Sequence, residues 1–231
     1  MKKNASYSLL VNTSDTFEDC WPPFFTLLAK YWPDLDAQVL LNTEKKVWAT
    51  DVIDIKCLQV QDNSKTRLPW SDCLIRALDL IETPLVLYLQ EDYFINKQVR
   101  HQLIEKSVQY MIENPNIEHI GLTKHGSHPP YKNYNPNWLL EIRQNARYRI
   151  STQAGLWRVD ALKSYLREGE NGWMFEIYGT WRARKRNGTF LCTQFDDNSG
   201  GPAIDYPHTG IIKGKWLPEI RETFRENNIV V

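Results

Sequence analysis

The chain has 231 residues, 42% of them hydrophobic and 24% charged, which is ordinary for a globular protein of one large domain or two small ones. Its 28 basic and 28 acidic residues cancel, and this balance argues against nucleic acid as a partner. No apolar run approaches the roughly 20 residues of a membrane span, and the apolar stretch after the basic N-terminus is too short for a signal-peptide core. The sequence therefore predicts a cytoplasmic protein without a transmembrane segment, with four reduced cysteines.

Strand and helix patterns alternate along the first part of the chain. In order, the patterns predict a strand over 7–12, a helix over 24–31, strands over 37–41 and 52–60, a helix that Ser71 caps and that ends near Glu82, and a strand that ends at Gln90. Such alternation is typical of a parallel sheet with helical crossovers.

The second part of the chain is less regular. The patterns predict helices over 99–113, 159–167, 173–186 and 218–227, strands over 117–123, 152–157 and 189–194, a loop over 124–137 and a hairpin over 139–150. We expect a single α/β domain with a Rossmann-like, mostly parallel central sheet flanked by helices. Residues 1–96 would form a nucleotide-binding half, and residues 97–231 a smaller half that completes the cleft.

The strand that ends at Gln90 is followed by two adjacent carboxylates, Glu91 and Asp92. In open α/β sheets, ligands bind just beyond the carboxyl ends of such strands. A buried carboxylate pair is unfavourable unless a cation shares the site, and Mg²⁺ or Mn²⁺ is held by one or two carboxylates together with substrate phosphates. The pair therefore predicts a divalent metal and a nucleoside diphosphate. The alternative is a strand end whose carboxylates cap the next helix or face solvent.

The order of strand, capping turn, helix, strand and apolar strand with an acidic pair resembles a GT-A glycosyltransferase. The acidic motif of that family is usually Asp-x-Asp, and Glu91-Asp92-Tyr93 departs from it because the acids are adjacent. The resemblance implies a GT-A-like domain, a nucleoside-diphosphate sugar donor, a carbohydrate acceptor, Mn²⁺ or Mg²⁺ and, by analogy, a role in bacterial surface polysaccharide synthesis. It places the nucleotide near the end of the first strand and before the helix that precedes the acidic strand, against Asn12, Thr13, Asp15, Arg67 and Trp70.

A second stretch, 151–158 followed by 170–176, resembles the acceptor half of the same family. The resemblance implies that Gln153 and Gly155 contact the sugar or acceptor and that Glu176 is the base of an inverting enzyme. A carboxylate in the first turn of a helix is stabilised as the anion and can accept a proton from a hydroxyl. Trp173 lies on nearly the same helical face and would stack on an acceptor sugar. The alternative is a helix-start glutamate with Trp173 in the core.

The stretch 206–216 resembles the C-terminal loop that supplies a metal ligand and phosphate contacts in metal-dependent members. It implies that His208 completes the metal shell with Glu91 and Asp92. Lys213 and Lys215 would neutralise the leaving diphosphate. The alternative is an ordinary surface loop.

Two other classes of protein are possible, and each would need different residues from those of a glycosyltransferase. A sugar-nucleotide nucleotidyltransferase should carry a glycine-rich loop after the first strand, and the turn over 12–15 contains no glycine. A non-catalytic carbohydrate-binding protein, suggested by the nine tryptophans, needs neither a buried acidic pair nor Glu176. A P-loop kinase or dinucleotide enzyme is excluded because neither GxxxxGK[ST] nor GxGxxG is present.

Overall fold

The computed structural model describes residues 6–61, 66–126, 128–212 and 215–230. The strands are β1 (Tyr7–Asn12), β2 (Gln38–Asn42), β3 (Ile55–Cys57), β4 (Leu85–Gln90), β5 (Ile117–Gly121), β6 (Tyr131–Asn133), β7 (Leu139–Ile142), β8 (Gly155–Arg158), β9 (Thr189–Thr193), β10 (Ile211–Ile212) and β11 (Lys215–Trp216). The helices are α1 (Trp21–Tyr31), α2 (Trp70–Asp79), α3 (His101–Glu113), α4 (Val159–Tyr165), α5 (Gly172–Arg184) and α6 (Pro218–Glu226). Over the described residues, every helix is too short or too polar to cross a bilayer.

One nine-stranded sheet in the order β3-β2-β1-β4-β8-β5-β9-β7-β6 organises the fold. Strands β3, β2, β1 and β4 are parallel neighbours, and β8 is inserted antiparallel between β4 and β5. Following the pairings across the sheet, all strands except β7 and β8 run in one direction. The predicted single α/β domain with a mostly parallel sheet is therefore confirmed.

Helices cover both faces of the sheet, as the continuous apolar sequence of the central strands requires. On β1, Leu9 and Val11 pack into one core cluster with α1, α3 and α6. Leu10 points the other way, into a second cluster with α2, α4 and α5. Burial on both faces explains why β1 and β4 read as continuous apolar runs.

Two predicted elements are wrong at their boundaries. The strand expected over 52–60 shrinks to β3, because Gln59 adopts a positive φ of 50° that interrupts the extended chain. Ser71 does not cap α2, which begins at Trp70 after Pro69. Its hydroxyl instead accepts the backbone N–H of Glu170 at 3.0 Å, and its own N–H donates to the Glu170 carbonyl at 3.1 Å. Ser71 thus links the start of α2 to the segment that precedes α5 instead of capping a helix.

The hairpin expected within 139–150 is also different. β7 pairs backward with β6, inside the stretch predicted to be a loop. β6 has only three residues, Tyr-Lys-Asn, so its sequence carries no apolar alternation that would reveal a strand.

The sheet brings the ends of several elements to one edge. Asn12, at the end of β1, lies opposite both Asn42 of β2 and Gln90 of β4. Because β8 is antiparallel, it begins at this same edge, with Gly155 opposite Tyr88 and Gly121. The segment 151–154 therefore arrives beside the residues that follow β4.

Candidate functional site

A cavity of about 440 Å³ opens at this edge of the sheet. This volume lies within the range of small-molecule sites. The predicted nucleotide contacts Asn12, Thr13, Arg67 and Trp70 all line it, as does Glu91. Further lining residues are Ser14, Phe17, Glu44, Leu68, Pro69, Cys73 and Gln90.

Hydrogen bonds fix the wall formed by the end of β1. The Asn42 Nδ2 donates to Asn12 Oδ1 at 2.8 Å, and the Trp21 Nε1 donates to Thr13 Oγ1 at 2.9 Å. Among the described residues, the buried Asn42 Oδ1 accepts no hydrogen bond. The two hydrogen bonds orient the Asn12 and Thr13 side chains at the cavity wall.

Asp15, unlike the other predicted nucleotide contacts, binds the turn after β2 and does not line the cavity. Its carboxylate accepts the backbone N–H groups of Glu44, Lys45 and Lys46 at 2.9, 2.8 and 3.0 Å, and it is not among the cavity-lining residues. It holds the turn after β2, which presents Glu44 to the cavity. There Arg67 Nε donates to Glu44 Oε1 at 2.5 Å. Sequence reasoning missed Glu44, although its position just past a parallel strand was a usable signal.

Trp70 connects the cavity to α5. Its ring packs against Phe175 with centroids 5.6 Å apart. A Cβ added to Gly172 would lie 3.5 Å from the same ring. The first residue of α2 thus contacts the first turn of α5, where the predicted base-bearing helix begins.

The acidic pair lies at the end of β4, with Glu91 buried and Asp92 half-buried. Burial raises the pKa of Glu91 well above that of an ordinary carboxyl, and the neighbouring Asp92 adds to the rise. Burial likewise raises the pKa of Asp92, although hydrogen bonds from Thr209 and Gly210 oppose this. Within the described residues, Glu91 accepts a hydrogen bond only from its own backbone. Glu91 is therefore short of groups that stabilise its negative charge.

The C-terminal loop reaches the acidic pair through Thr209 and Gly210. The Thr209 hydroxyl and the Gly210 N–H, the latter at 3.2 Å, both donate to Asp92 Oδ2. A Cβ on Gly210 would lie 2.3 Å from Phe94 and 2.8 Å from the Asp92 carbonyl oxygen, so only glycine permits this approach. His208 is exposed, with its ring 5.3 Å from that of His125.

Of the two lysines predicted to contact the diphosphate, only Lys215 belongs to the described residues. Lys215 is exposed in the β10–β11 hairpin, whereas Lys213 lies outside the described residues.

The chemistry of the acidic pair suits a hard divalent cation, but the protein supplies few ligands. Carboxylate oxygens are what Mg²⁺ and Mn²⁺ prefer. Over the described part of the chain, no group of three His, Cys, Asp or Glu side chains is arranged to hold a metal. Glu91 and Asp92 thus fit a cation whose other ligands come from a bound phosphate and water, which is the usual arrangement for Mg²⁺.

Glu176 is held by the segment before β8. Its Oε1 accepts three hydrogen bonds: from the Thr152 N–H at 2.8 Å, the Thr152 hydroxyl at 2.9 Å and the Ser151 hydroxyl at 3.2 Å. The first-turn interpretation is wrong, because Asn171 caps the helix and Glu176 is its fifth residue. Side-chain and backbone donors of 151–152 therefore orient this carboxylate, rather than the helix N-terminus.

Two stacked tyrosines lie beneath the segment that holds Glu176. Tyr93 and Tyr206 have ring centroids 4.8 Å apart. The Tyr93 hydroxyl donates to the Thr152 carbonyl at 3.1 Å, and the Ala154 N–H donates to the Tyr206 hydroxyl at 2.9 Å. Gln153 joins both, donating to Tyr93 and accepting from Tyr206. These tyrosines tie the acidic pair, the C-terminal loop and the Glu176 segment together, and no local sequence signal marks them.

The predicted acceptor contacts occupy different surroundings. The Gln153 side chain is engaged with the tyrosines. Gly155 is buried, and a Cβ there would lie 2.3 Å from His119, so close packing requires glycine. Trp173 is 67% exposed, which rules out the alternative of a core tryptophan and leaves its ring open to a ligand.

Comparisons with known proteins identify the architecture. No protein-family model and no curated protein sequence matches the chain. Among solved structures, the chain is similar to Staphylococcus aureus TarS (TM-score 0.54, 14% identity, covering 96% of this chain and 39% of that one). It is also similar to the fragment 1–349 of TarS (TM-score 0.52, 16% identity, covering 81% and 58%).

A third similar structure is a CMP:2-keto-3-deoxy-manno-octonic acid synthetase complexed with CTP (TM-score 0.50, 13% identity, covering 96% and 98%). At such identities these similarities show the fold alone, and the chain spans only 58% and 39% of the length of the two TarS structures. The expected GT-A-type fold is confirmed at this level. The likeness to a synthetase means that the fold by itself does not choose between sugar transfer and nucleotide transfer.

Proposed function

We propose that this protein transfers a sugar from a nucleoside diphosphate to a carbohydrate hydroxyl with inversion of configuration. The observation that carries the proposal is the combination of two different carboxylate environments at one sheet edge. Glu91 lines a cavity of nucleotide size, whereas Glu176 is fixed outside that cavity by hydroxyl and amide donors. A donor site and a base are the two parts that such a reaction needs.

The donor nucleotide would occupy the cavity. Trp70 offers an aromatic face for the base or ribose. Arg67 offers a guanidinium that is already oriented by Glu44. Asn12 and Thr13 form the polar wall beneath them. Asp15 would act on the nucleotide only indirectly, by holding the turn that carries Glu44.

The diphosphate would lie over the acidic pair. Mn²⁺ or Mg²⁺ held between Glu91, Asp92 and the phosphate oxygens would neutralise charge on the leaving group. The Thr209 hydroxyl and Gly210 N–H keep Asp92 in place. We assign to Lys213, Lys215 and His208 a supporting role, in which the C-terminal loop contacts the phosphates or the cation.

The acceptor would approach from the side of α5. Glu176 uses Oε1 to accept three hydrogen bonds, which leaves Oε2 to take the proton of the acceptor hydroxyl. The new bond to the sugar carbon forms as the bond to the diphosphate oxygen breaks, and the nucleoside diphosphate leaves. Trp173 would stack on the acceptor, and Gln153 and Gly155 would shape the floor near the donor sugar.

The similarity to a synthetase favours nucleotidyl transfer as the second candidate. That reaction consumes a nucleoside triphosphate and releases pyrophosphate. The turn over 12–15 lacks the glycines that would cradle a triphosphate. A non-catalytic carbohydrate-binding protein, the third candidate, would bind no nucleotide at all.

A thermal-unfolding panel separates the three candidates. Nucleoside diphosphates, nucleoside triphosphates and nucleotide sugars are each added with Mn²⁺, Mg²⁺ or EDTA. A ligand at about 100 times its dissociation constant stabilises by roughly 2.7 kcal/mol. We expect stabilisation by one nucleotide sugar and its diphosphate, lost in EDTA, with release of the diphosphate on incubation. Stabilisation only by a triphosphate, with pyrophosphate release, would replace the proposal by the second candidate. No stabilisation by any nucleotide would reject both.

A further inference from the structure

The solvent side of α5 carries aromatic side chains where helices normally expose charged ones. Tyr178 is 41% and Trp181 57% exposed, and their rings contact each other with centroids 5.6 Å apart. The opposite side of the helix buries Phe175, Gly179 and Ala183. Helix α5 therefore buries one side and exposes an aromatic pair on the other, and clustered exposed aromatic rings favour an interaction surface.

Exposed positive charge lies at the C-terminal end of α5 and on the loop that contacts this end. The loop 143–148 runs beside the last two turns of α5, because the Gln144 side chain donates to carbonyls of that helix end and Arg184 donates to the Asn145 and Ala146 carbonyls. Arg143 and Arg147 are exposed on this loop, and Arg184 and Lys185 at the helix end. Neither 143–149 nor 177–188 contains an aspartate or a glutamate.

The neighbouring carboxylates do not balance these four cations. Glu170 pairs with Arg182 through two hydrogen bonds of 2.8 and 2.7 Å. Glu118 lies against Tyr165 and Arg186, and Glu141 pairs with Lys132. Within the described residues, no ion pair joins Arg143, Arg147, Arg184 or Lys185 to a carboxylate. In a chain of zero net charge, this is a local excess of positive charge.

We infer that this surface docks the protein on an anionic lipid bilayer. We call it the α5 outer surface, and it consists of Arg143, Arg147, Tyr178, Trp181, Arg184 and Lys185. Tyrosine and tryptophan favour the headgroup level of a bilayer, and each nearby lysine or arginine adds attraction to anionic lipids. A convex helix face suits a planar surface, and none of the six residues lines the cavity next to Glu91.

The inference does not depend on the proposed sugar transfer. Membrane docking would also bring the candidate functional site near the bilayer, because α5 carries Glu176 on its inner side. A protein docked through the outer face of α5 would hold the candidate base within a helix diameter of the lipid headgroups, about 10 Å.

Vesicle co-sedimentation of the full chain tests the inference. One set of vesicles contains phosphatidylcholine alone, and the other an equal mixture of phosphatidylcholine and phosphatidylglycerol. We expect binding to the mixed vesicles only, weakened by salt, with a blue shift of tryptophan emission. The double variant Arg147→Gln/Lys185→Gln should weaken partitioning by about 30-fold, since each cation contributes roughly a factor of five. Trp181→Ala should weaken it several-fold.

A matched variant controls for loss of charge alone. Lys56→Gln/Arg221→Gln removes two exposed cations elsewhere and should partition like the wild type. Thermal unfolding checks that every variant folds, and the wild-type emission shift needs no variant. Equal weakening by the control, or no binding to the mixed vesicles at low salt, would overturn the inference. So would Trp181-dependent binding to soluble dextran sulfate without binding to vesicles, which would identify a polyanion site.

Discussion

The two carboxylate regions of the candidate site differ in how their negative charge is stabilised. Glu91 is buried and Asp92 is half-buried, and desolvation raises the pKa of both carboxyls, although Thr209 and Gly210 donate hydrogen bonds to Asp92. Glu176 is half-buried and receives three hydrogen bonds. Glu91 therefore lacks groups that stabilise its negative charge unless a cation binds, whereas the Glu176 carboxylate is already held by hydrogen-bond donors.

The largest expected effect is that of substituting Glu176. Glu176→Gln keeps an oxygen for the donors of 151–152 but cannot accept a proton. We expect turnover of the nucleotide sugar, measured as diphosphate release, to fall by about 10²- to 10⁴-fold. Thermal stabilisation by the nucleotide should be unchanged. The exposed Glu168→Gln is the matched control, and full activity of the Glu176 variant would remove it from the mechanism.

Substitution of Glu91, in the acidic pair, should instead change nucleotide binding and stability. Glu91→Gln removes a ligand for the proposed cation, so the metal-dependent stabilisation by nucleotide, about 2.7 kcal/mol at 100 times the dissociation constant, should vanish. Without nucleotide, the variant should be more stable than the wild type at pH 8. A carboxyl whose folded pKa is raised makes stability fall as pH rises through that pKa, and glutamine abolishes this loss.

Unfolding of Glu91→Gln and of the exposed Asp34→Asn, compared at pH 5 and pH 8 without nucleotide, checks this sign. A Glu91 variant that is less stable than the wild type at pH 8 would show that the carboxylate is well solvated, and the contrast between the two regions would fail.

The tyrosines between the two regions should have a smaller effect. Tyr206→Phe leaves the Ala154 N–H without its acceptor. An unsatisfied buried group costs about 1–3 kcal/mol, and each kcal/mol lowers the Tm by roughly 2–4 °C for a chain of this size. Turnover should fall more than nucleotide binding, because the segment that orients Glu176 is loosened. Tyr148→Phe, at the surface, is the control, and equal effects of the two changes would contradict the linkage.

The smallest expected effect is the contribution of His119 to the pH dependence of stability, which is superimposed on that of the two carboxylate regions. His119 is buried against Trp157 and Phe190, and burial lowers its pKa to about 3. A histidine that charges only on unfolding contributes stability above its unfolded pKa of about 6.5, and that stability is lost as pH falls toward 3.

Between pH 6 and pH 5, the free energy of unfolding should drop by about 1 kcal/mol more in the wild type than in His119→Gln. Should that variant not fold, NMR titration of the wild type gives the same information. A His119 ring that titrates above pH 6 would contradict the expectation.

Sequence patterns located the acidic edge because the information there is local. The strand over 7–12 was predicted with its observed bounds, and an apolar run that ends in two acids gave the position of Glu91 and Asp92. Glu44 could have been found by the same rule, since it follows β2. Ser71 shows the limit of local rules, because its hydroxyl bonds to Glu170, 99 residues away.

The sequence by itself determined the α/β class, the two-sided burial of the central strands and the place of the acidic pair, because continuous apolar runs and strand ends depend on neighbours along the chain. Only the tertiary structure decided what orients Glu176, what Asp15 and Gln153 hold, and how Tyr206 joins three segments. Those contacts join residues 24 to 113 positions apart. The contacts of Glu176, Gln153 and Tyr206 form when the antiparallel β8 returns the chain to the carboxyl edge of the sheet, whereas those of Asp15 form because the parallel strands β1 and β2 end side by side.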